Sequence, residues 1–412
     1  MTYSMKDTLS ETLAATVQEK RVIGKLLGRE DGPTLVFFGG IHGNEPAGVK
    51  ALQRVFEKMN QGGHQPAGNV YGLVGNLQAL EQGKRFIASD LNRMWHSPPL
   101  DGAPAMDGAE AAEMQALHRY IGKVLDTHRP PFYFIDLHTT SSRTLPFITI
   151  NDALINRKFA QCFPVPVILG IEEYLNGPLL SYMNEKGYLG IGFESGQHEE
   201  EAAVTLAESF IWMALVRAGA FNRGDVPGYD EHFRQLRQAA EGYHRFYEIT
   251  YRHFLEPGDS FSMFPGFQSF QKVSPGTQLA TYNGKPIRLD REETLFMPLY
   301  QKQGEDGYFL IRSIPAFLLA LSELLRRVKL EGLLPLLPGI SRLPGNPGKL
   351  LVNLRWTPFL SKQFFHLLGY RHRYLEGKIA ILNNRERTAR KHEYQDCSWY
   401  RGIFRNFRKA CP

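Results

Sequence analysis

The stretch Thr34-Leu-Val-Phe-Phe-Gly-Gly-Ile-His-Gly-Asn-Glu-Pro-Ala-Gly48 decides the fold class. Thr34 to Phe38 is a short apolar, β-prone run closed by Gly39-Gly40, the pattern of a buried strand entering a loop. From Pro46 to Asn60 the apolar positions Val49, Leu52, Val55, Phe56 and Met59 fall at helical spacing. A buried strand, a glycine-rich loop and a helix in succession is the repeating unit of an α/β protein, and such loops at strand carboxyl ends are where these proteins put their sites.

Outward from this unit the alternation continues. Asn69 to Val74, Phe132 to Leu137, Pro164 to Leu169 and Gly190 to Phe193 read as further buried strands, and Ala109 to Thr127 and Glu199 to Ala218 as amphipathic helices. The expectation is a layered α/β fold with a mostly buried sheet. After Ala220 the texture changes. Asn222 to Gly228 is a turn-rich linker, followed by strand candidates at Phe246 to Tyr251, Phe261 to Phe264, Thr277 to Tyr282 and Thr294 to Tyr300 between Gly/Pro turns, which suggests a small β domain. Ile314 to Ile340 reads as an amphipathic helix and a Pro-rich loop, interrupted by too many charges to span a bilayer. Leu334 to Lys349, rich in Pro and Gly, reads as a linker. The expected division is 1–222 for the α/β domain, 223–330 for a β-rich domain, and 331–412 for the linker and a basic C-terminal extension.

Composition bounds the rest. The 412 residues are 43% hydrophobic and 22% charged, which argues against a disordered or fibrous chain. Three cysteines, Cys162, Cys397 and Cys411, lie far apart in no CxxC pair, so a disulfide framework and thiolate metal sites are not expected. With a polar N-terminus that lacks a signal-peptide core, the expected place is a reducing, cytoplasmic one. Residues 371–412 carry 11 Lys/Arg against 4 Asp/Glu, which exceeds the whole chain's net +6 and leaves the remainder at −1. The basic character therefore belongs to the tail. Such a tail reads first as a solvated extension or a helix-and-strand appendage, and second as a contact for nucleic acid or an anionic surface.

The residues that carry chemistry sit just after the expected strands. His42 and Glu45 share the glycine-rich loop after the first strand, and His138 ends the strand Phe134-Ile-Asp136-Leu-His138. Two imidazoles and a carboxylate are a zinc ligand set that leaves a fourth position open for water. Asp136, two residues before His138, lies on the same strand face and would orient its ring. Arg85, Asn92 and Arg93 gather two guanidinium groups and an amide within nine residues, suited to holding a carboxylate or a developing oxyanion. Glu194, in Gly190-Ile-Gly-Phe-Glu194-Ser-Gly196, would be a general base. Singly, each has an ordinary structural role open to it: a loop or core histidine, a surface ion pair, a helix cap.

Taken in order, GGIHGNEPAG, DLNR, a strand ending in DLH, and GFESG resemble the succinylglutamate desuccinylase/aspartoacylase family, a branch of the zinc-carboxypeptidase-like hydrolases, over roughly residues 20 to 310. The resemblance implies a three-layer α/β/α domain with a mixed sheet and a smaller C-terminal β domain that restricts entry to the site. It implies one Zn2+ held by His42, Glu45 and His138, with Glu194 as catalytic base. It further implies that Arg85 polarises the scissile carbonyl, and that Asn92 and Arg93 hold an anionic group of a small N-acylated substrate. The chain departs from the pattern in places, the long basic C-terminal extension among them. Members specific for acidic amides often carry another arginine shortly before the catalytic glutamate, where this chain has Tyr182-Met-Asn-Glu-Lys186-Gly-Tyr188 with Lys186 as its only cation. Some members use a tyrosine from the β domain, for which Tyr308 is the candidate here.

The expected activity is zinc-dependent hydrolysis of the amide of an N-acyl amino acid or a related carboxylate-bearing amide. A metallocarboxypeptidase or peptide amidase is the rival within hydrolases, and a nucleic-acid- or membrane-associated binding protein acting through its tail is the rival outside them.

Overall fold

The computed structural model describes residues 20–63, 65–95, 108–353, 355, 362–376 and 379–401. In chain order its strands are β1 (Val22–Leu26), β2 (Thr34–Gly39), β3 (Asn69–Val74), β4 (Phe132–Thr140), β5 (Phe147–Ile150), β6 (Val167–Leu169), β7 (Leu189–Gln197), β8 (Phe246–Phe254), β9 (Phe261–Met263), β10 (Lys272–Val273), β11 (Gln278–Tyr282), β12 (Lys285–Arg288), β13 (Glu293–Phe296), β14 (Asp306–Ser313), β15 (Ile340–Leu343), β16 (Asn346–Asn353), β17 (Tyr370–Glu376) and β18 (Ile379–Asn384). Eleven of them form one mixed sheet in the order β1-β3-β2-β4-β7-β5-β6-β8-β14-β13-β10. β3, β2, β4 and β7 run parallel, and β1 and β5 run antiparallel to β3 and β7.

Side-chain alternation divides the core in two. Leu35, Phe37, Tyr133, Ile135 and Leu137 face one apolar cluster, with the helices Ala47–Gly62 and Glu201–Ala218. Val36, Phe38, Phe132 and Phe134 face the other, with the helix Ala109–Thr127. A strand buried on both faces reads as a continuous apolar run, as Thr34 to Phe38 does. The result is the expected layered mixed α/β architecture. The sheet also continues from β6 through a parallel pairing with β8, Val167 opposite Phe246, so the β-rich region extends the same sheet. A small antiparallel sheet, β12-β11-β9, lies beside it.

Several expectations need correction. Residues 334–349 are not a linker: they hold the end of the 3₁₀ helix Leu330–Leu336, all of β15 and the start of β16. Their Pro and Gly residues punctuate tight turns. Gly345, at φ +75°, follows Pro344 in the hairpin between β15 and β16, a conformation open to glycine. The strand expected to run to Tyr300 stops at Phe296, because Met297 adopts φ +47° and Pro298 has no N–H for the ladder. Residues 297–305 instead form a loop over the cleft.

The C-terminal region is a helix-and-strand appendage, with a four-stranded antiparallel sheet β15-β16-β18-β17. Buried contacts tie it to the main body, those of Asp152 and Tyr394 among them. Asp152 accepts from three guanidinium groups, those of Arg157 (2.6 and 2.8 Å), Arg326 (3.0 and 3.1 Å) and Arg371 (2.7 and 3.0 Å). Burial alone would raise the Asp152 carboxyl, but the three arginines hold it well below the usual range. Near the end of the chain, the Tyr394 hydroxyl donates to Phe132 O (2.5 Å) and accepts from Leu189 N (3.0 Å), bridging the starts of β4 and β7. Many cations of this region are used internally: Arg371 with Asp152, Arg385 with Glu185, Arg390 with Glu393, Lys391 with Glu386 and Arg401 with Asp396. The helix Ala316–Arg327 is inverted in pattern, with Ser322, Glu323 and Arg326 buried and Phe317, Leu321, Leu324 and the following Val328 exposed. Among the described residues no helix is long and apolar enough to cross a membrane.

Candidate active site

Three neighbouring strand ends build the site. His42 lies in the loop leaving β2, His138 is near the end of β4, and Glu194 is in β7 as the register partner of His138. The loop needs its glycines. Gly40 sits at φ +68°, and a Cβ on Gly48 would stand 2.7 Å from Leu137 Cβ, so only a bare backbone lets the following helix close onto β4. That approach brings Glu45 to both histidines.

The geometry is convergent. His42 Nδ1 lies 2.8 Å from Glu45 Oε1, and His138 Nδ1 lies 2.9 Å from Glu45 Oε2. One donor atom from each of the three buried residues falls within 4.8 Å of the others, and the ring centroids are 5.1 Å apart. The second nitrogen of each ring is held by a separate carboxylate, His138 Nε2 by Asp136 Oδ2 (2.6 Å) and His42 Nε2 by Asp90 Oδ1 (3.1 Å). Thr139 N–H donates to Glu45 Oε2 (3.0 Å). Two imidazoles turned toward a shared carboxylate, each backed by another carboxylate, match the donor set and outer support of a divalent-metal site. Electrostatics agree. Burial alone would raise Glu45, but His42 and His138 hold it well below the carboxylate range; burial would lower His138, but Asp136 and Glu45 push it well above. These opposed charges gather on three residues that could hold a metal ion.

Glu194 stands beside this group, buried, and its Oε2 has no hydrogen-bond partner among the described residues. Burial, with Glu45 and Asp136 nearby, pushes its carboxyl up to about 8, against the lowering effect of His138 and Arg85. Arg85 donates to Asp90 Oδ2 through Nε (3.3 Å) and NH2 (3.0 Å), and its NH1 lies 3.5 Å from Glu45 Oε1. Asp90 also caps the 3₁₀ turn Leu91–Arg93, accepting from Asn92 N (2.8 Å). Asn92 Oδ1 accepts from Leu179 N (2.9 Å), which leaves the amide nitrogen as the donor of this side chain. Arg93 donates through NH1 to Asn92 O (3.1 Å) and through NH2 to Asp306 Oδ2 (3.2 Å).

All seven expected site residues line one cleft. The loop 297–305 and the start of β14 cross its mouth. Asn44 Nδ2 donates to Gln301 Oε1 (2.8 Å), Tyr300 N–H to Ser141 Oγ (3.1 Å) and Gln303 Nε2 to Phe86 O (3.3 Å). Lys186 and Tyr308 lie apart from the cleft lining. Lys186 covers the Tyr182 ring at 4.9 Å, and Tyr308 stacks on His253 at 5.2 Å, buried on the face of β14 turned to the small antiparallel sheet, so the neighbouring Phe309 is the one that reaches the cleft. Sequence reading passed over Asp90, His198, Gln301 and Asp306. Asp90 had a signal, its capping position before Leu91-Asn-Arg93; the others reach the site only through tertiary folding.

Comparison with known proteins points the same way. Residues 31–206 match the Succinylglutamate desuccinylase/Aspartoacylase catalytic domain. The chain is similar to the succinylglutamate desuccinylase of Pseudomonas paraeruginosa, 36% identical over 22% of this chain and 26% of the relative. It is also similar to that of Pseudomonas aeruginosa, 34% identical over 27% of this chain and 32% of the relative. The match thus spans about a third or less of these curated relatives' length. Among solved structures, a succinylglutamate desuccinylase/aspartoacylase from Rhodobacter sphaeroides superposes with a TM-score of 0.50 and 14% identity, over 70% of this chain and 93% of the other. The ectoine utilization protein EutE (DoeB) from Ruegeria pomeroyi, in a product-bound structure, gives 0.50 and 16% over 70% and 87%. At such identities the structures speak for the fold.

Proposed function

We propose, from the match of residues 31–206 to the Succinylglutamate desuccinylase/Aspartoacylase catalytic domain, that this protein is a zinc-dependent deacylase that hydrolyses the amide of a small N-acylated amino acid. The observation that carries the reading is the meeting of His42, Glu45 and His138, with the unpartnered Glu194 carboxylate oxygen beside them. A zinc ion held by those three residues would polarise the attacked carbonyl and acidify the attacking water.

The chain's own groups divide the remaining work. Asp136 and Asp90 keep the two rings turned toward Glu45, and Thr139 N–H fixes the Glu45 carboxylate. Glu194 Oε2 would take the proton of the attacking water and pass it to the departing amine. At about 8 the Glu194 carboxyl is protonated at neutral pH; a divalent charge at the neighbouring ligand set would draw it down into its basic form. Arg85 would stabilise the oxyanion, and Asn92 with Arg93 would hold the substrate carboxylate so that the amide meets the attacking water in line. Residues 1–222 would form the hydrolase domain, 223–330 a β-rich domain and 331–412 the basic C-terminal extension.

The loop 297–305, hydrogen-bonded to three segments around the mouth, favours a small substrate over a polypeptide, and so favours a deacylase over a carboxypeptidase. The test is metal analysis of the purified protein, followed by a screen of N-acetyl and N-succinyl amino acids for amine release. About one zinc per chain with chelator-sensitive release of amine supports the reading. Metal-free protein that cannot be reconstituted, or release only from peptides, overturns it.

A further inference from the structure

The guanidinium groups of the cleft are already matched by the protein's own carboxylates. Arg85 serves Asp90 and lies against Glu45, and Arg93 donates to Asp306. Asp306 is fixed in turn by Arg252, whose Nε lies 2.5 Å from its Oδ1 and whose NH1 donates to Tyr174 O (2.5 Å). A carboxylate so held is a standing counter-ion on the wall of the cleft.

Beyond Glu194 the cleft runs into a recess along the β5–β7 pairing. Gly190 and Gly192 of β7 line it, and side chains pack close on both: a Cβ on Gly192 would stand 2.5 Å from Thr149 Oγ1, and one on Gly190 2.5 Å from Asn184 Nδ2. The recess is lined by Thr149, Asn151, Leu180 and Ser181, closed by Ile171 and Phe309. The described lining residues that sit on β5, on β7 and on the helix Leu179–Glu185 (Thr149, Ile150, Gly190, Gly192, Glu194, Leu180 and Ser181) include no lysine, arginine or histidine. A carboxylate placed there would lose its water and gain no counter-ion, whereas an uncharged group would meet hydroxyls, an amide and apolar surface.

We propose that Asp306 is a specificity determinant of this site, and that the substrate is an amide bearing a single carboxylate, with an uncharged group in the recess lined by Thr149 and Ser181, rather than an amide bearing two carboxylates. The inference rests on the amide-hydrolysis reading and narrows it. Arg93 and the Asn92 amide nitrogen line the same cleft and receive one substrate carboxylate beside Asp306. A second carboxylate finds either Asp306 or the neutral recess, and like charges facing each other in a cleft select against that ligand.

The test compares N-acetyl-L-leucine, with one carboxylate, against N-acetyl-L-aspartate and N-succinyl-L-leucine, with two. Two readouts are taken: kcat/KM for amine release by the wild-type protein, and Kd by calorimetry on zinc-loaded Glu194→Gln protein. N-acetyl-L-leucine is expected to lead by at least tenfold in both, and Asp306→Asn to shrink its lead over N-acetyl-L-aspartate by at least fivefold. Preference of the wild type for either dicarboxylate, binding of none of the three, or an unchanged ratio in a folded Asp306→Asn protein overturns the proposal. If Asp306→Asn does not fold, the wild-type order decides alone. The expected binding order without amine release leaves this inference standing and removes the hydrolytic reading; amine release with the dicarboxylates preferred does the reverse.

Discussion

His138 and Glu194 are register partners on adjacent parallel strands, β4 and β7, so the sheet itself sets the spacing between a proposed metal ligand and the proposed base. A side chain carried on a paired strand has little freedom to drift, and proton transfer is sensitive to placement at the ångström scale. Glu194→Gln keeps the shape and removes the basic oxygen. The expected outcome is unchanged zinc content with amine release reduced by about 10²–10⁴-fold. A variant within threefold of the wild-type rate removes Glu194 from proton transfer.

The carboxylates behind the histidines carry their own prediction. Asp136→Asn leaves His138 in place but weakens the bond that turns its ring, through Oδ2 at 2.6 Å. Zinc affinity, measured by competition with a chromophoric chelator, is expected to fall about 10–100-fold. His138→Ala is expected to abolish stoichiometric zinc. Retention of full affinity by both variants would show that the ion sits elsewhere.

Asp152 anchors the appended C-terminal region through three arginines. Asp152→Ala leaves Arg157, Arg326 and Arg371 buried around a missing charge, an expected loss of about 3–5 kcal/mol in chemical denaturation. The pH dependence has a fixed sign. The folded-state carboxyl is held well below its unfolded value of about 3.9, so its contribution is present above that value and is lost as pH falls toward the folded one. The stability gap between wild type and Asp152→Asn is therefore expected to be full near neutrality and to narrow below about pH 4. A gap that widens in acid contradicts the assignment.

Tyr394→Phe tests whether the end of the described chain is structural. The change removes a buried hydroxyl that serves Phe132 O and Leu189 N, leaving both strand starts without that partner. An unsatisfied buried group costs about 1–3 kcal/mol. A melting temperature equal to wild type would mean that the segment does not hold β4 and β7 together.

The chain's order of residues by itself determined the buried strands of the main sheet and the candidate ligands at their ends. Thr34 to Phe38 and Phe132 to Leu137 are apolar on both faces, a pattern a two-sided sheet requires, and the glycines around His42 mark a turn that few other residues permit. The motif order was enough to show the resemblance to the family whose catalytic domain matches residues 31–206. Tertiary structure decided what local pattern cannot encode. Nothing near Arg93 in sequence announces Asp306, 213 residues away, as its counter-ion. Turn-forming Pro and Gly between residues 334 and 349 look alike in a linker and in a hairpin, and only strand pairing distinguishes the two. The cations of the C-terminal region read as a diffuse basic tail until folding brings Arg371 onto Asp152. Periodicity reports which face of an element is buried; which charge meets which is settled by contacts between segments far apart in the chain, because ion pairing depends on distance in space and leaves no local trace.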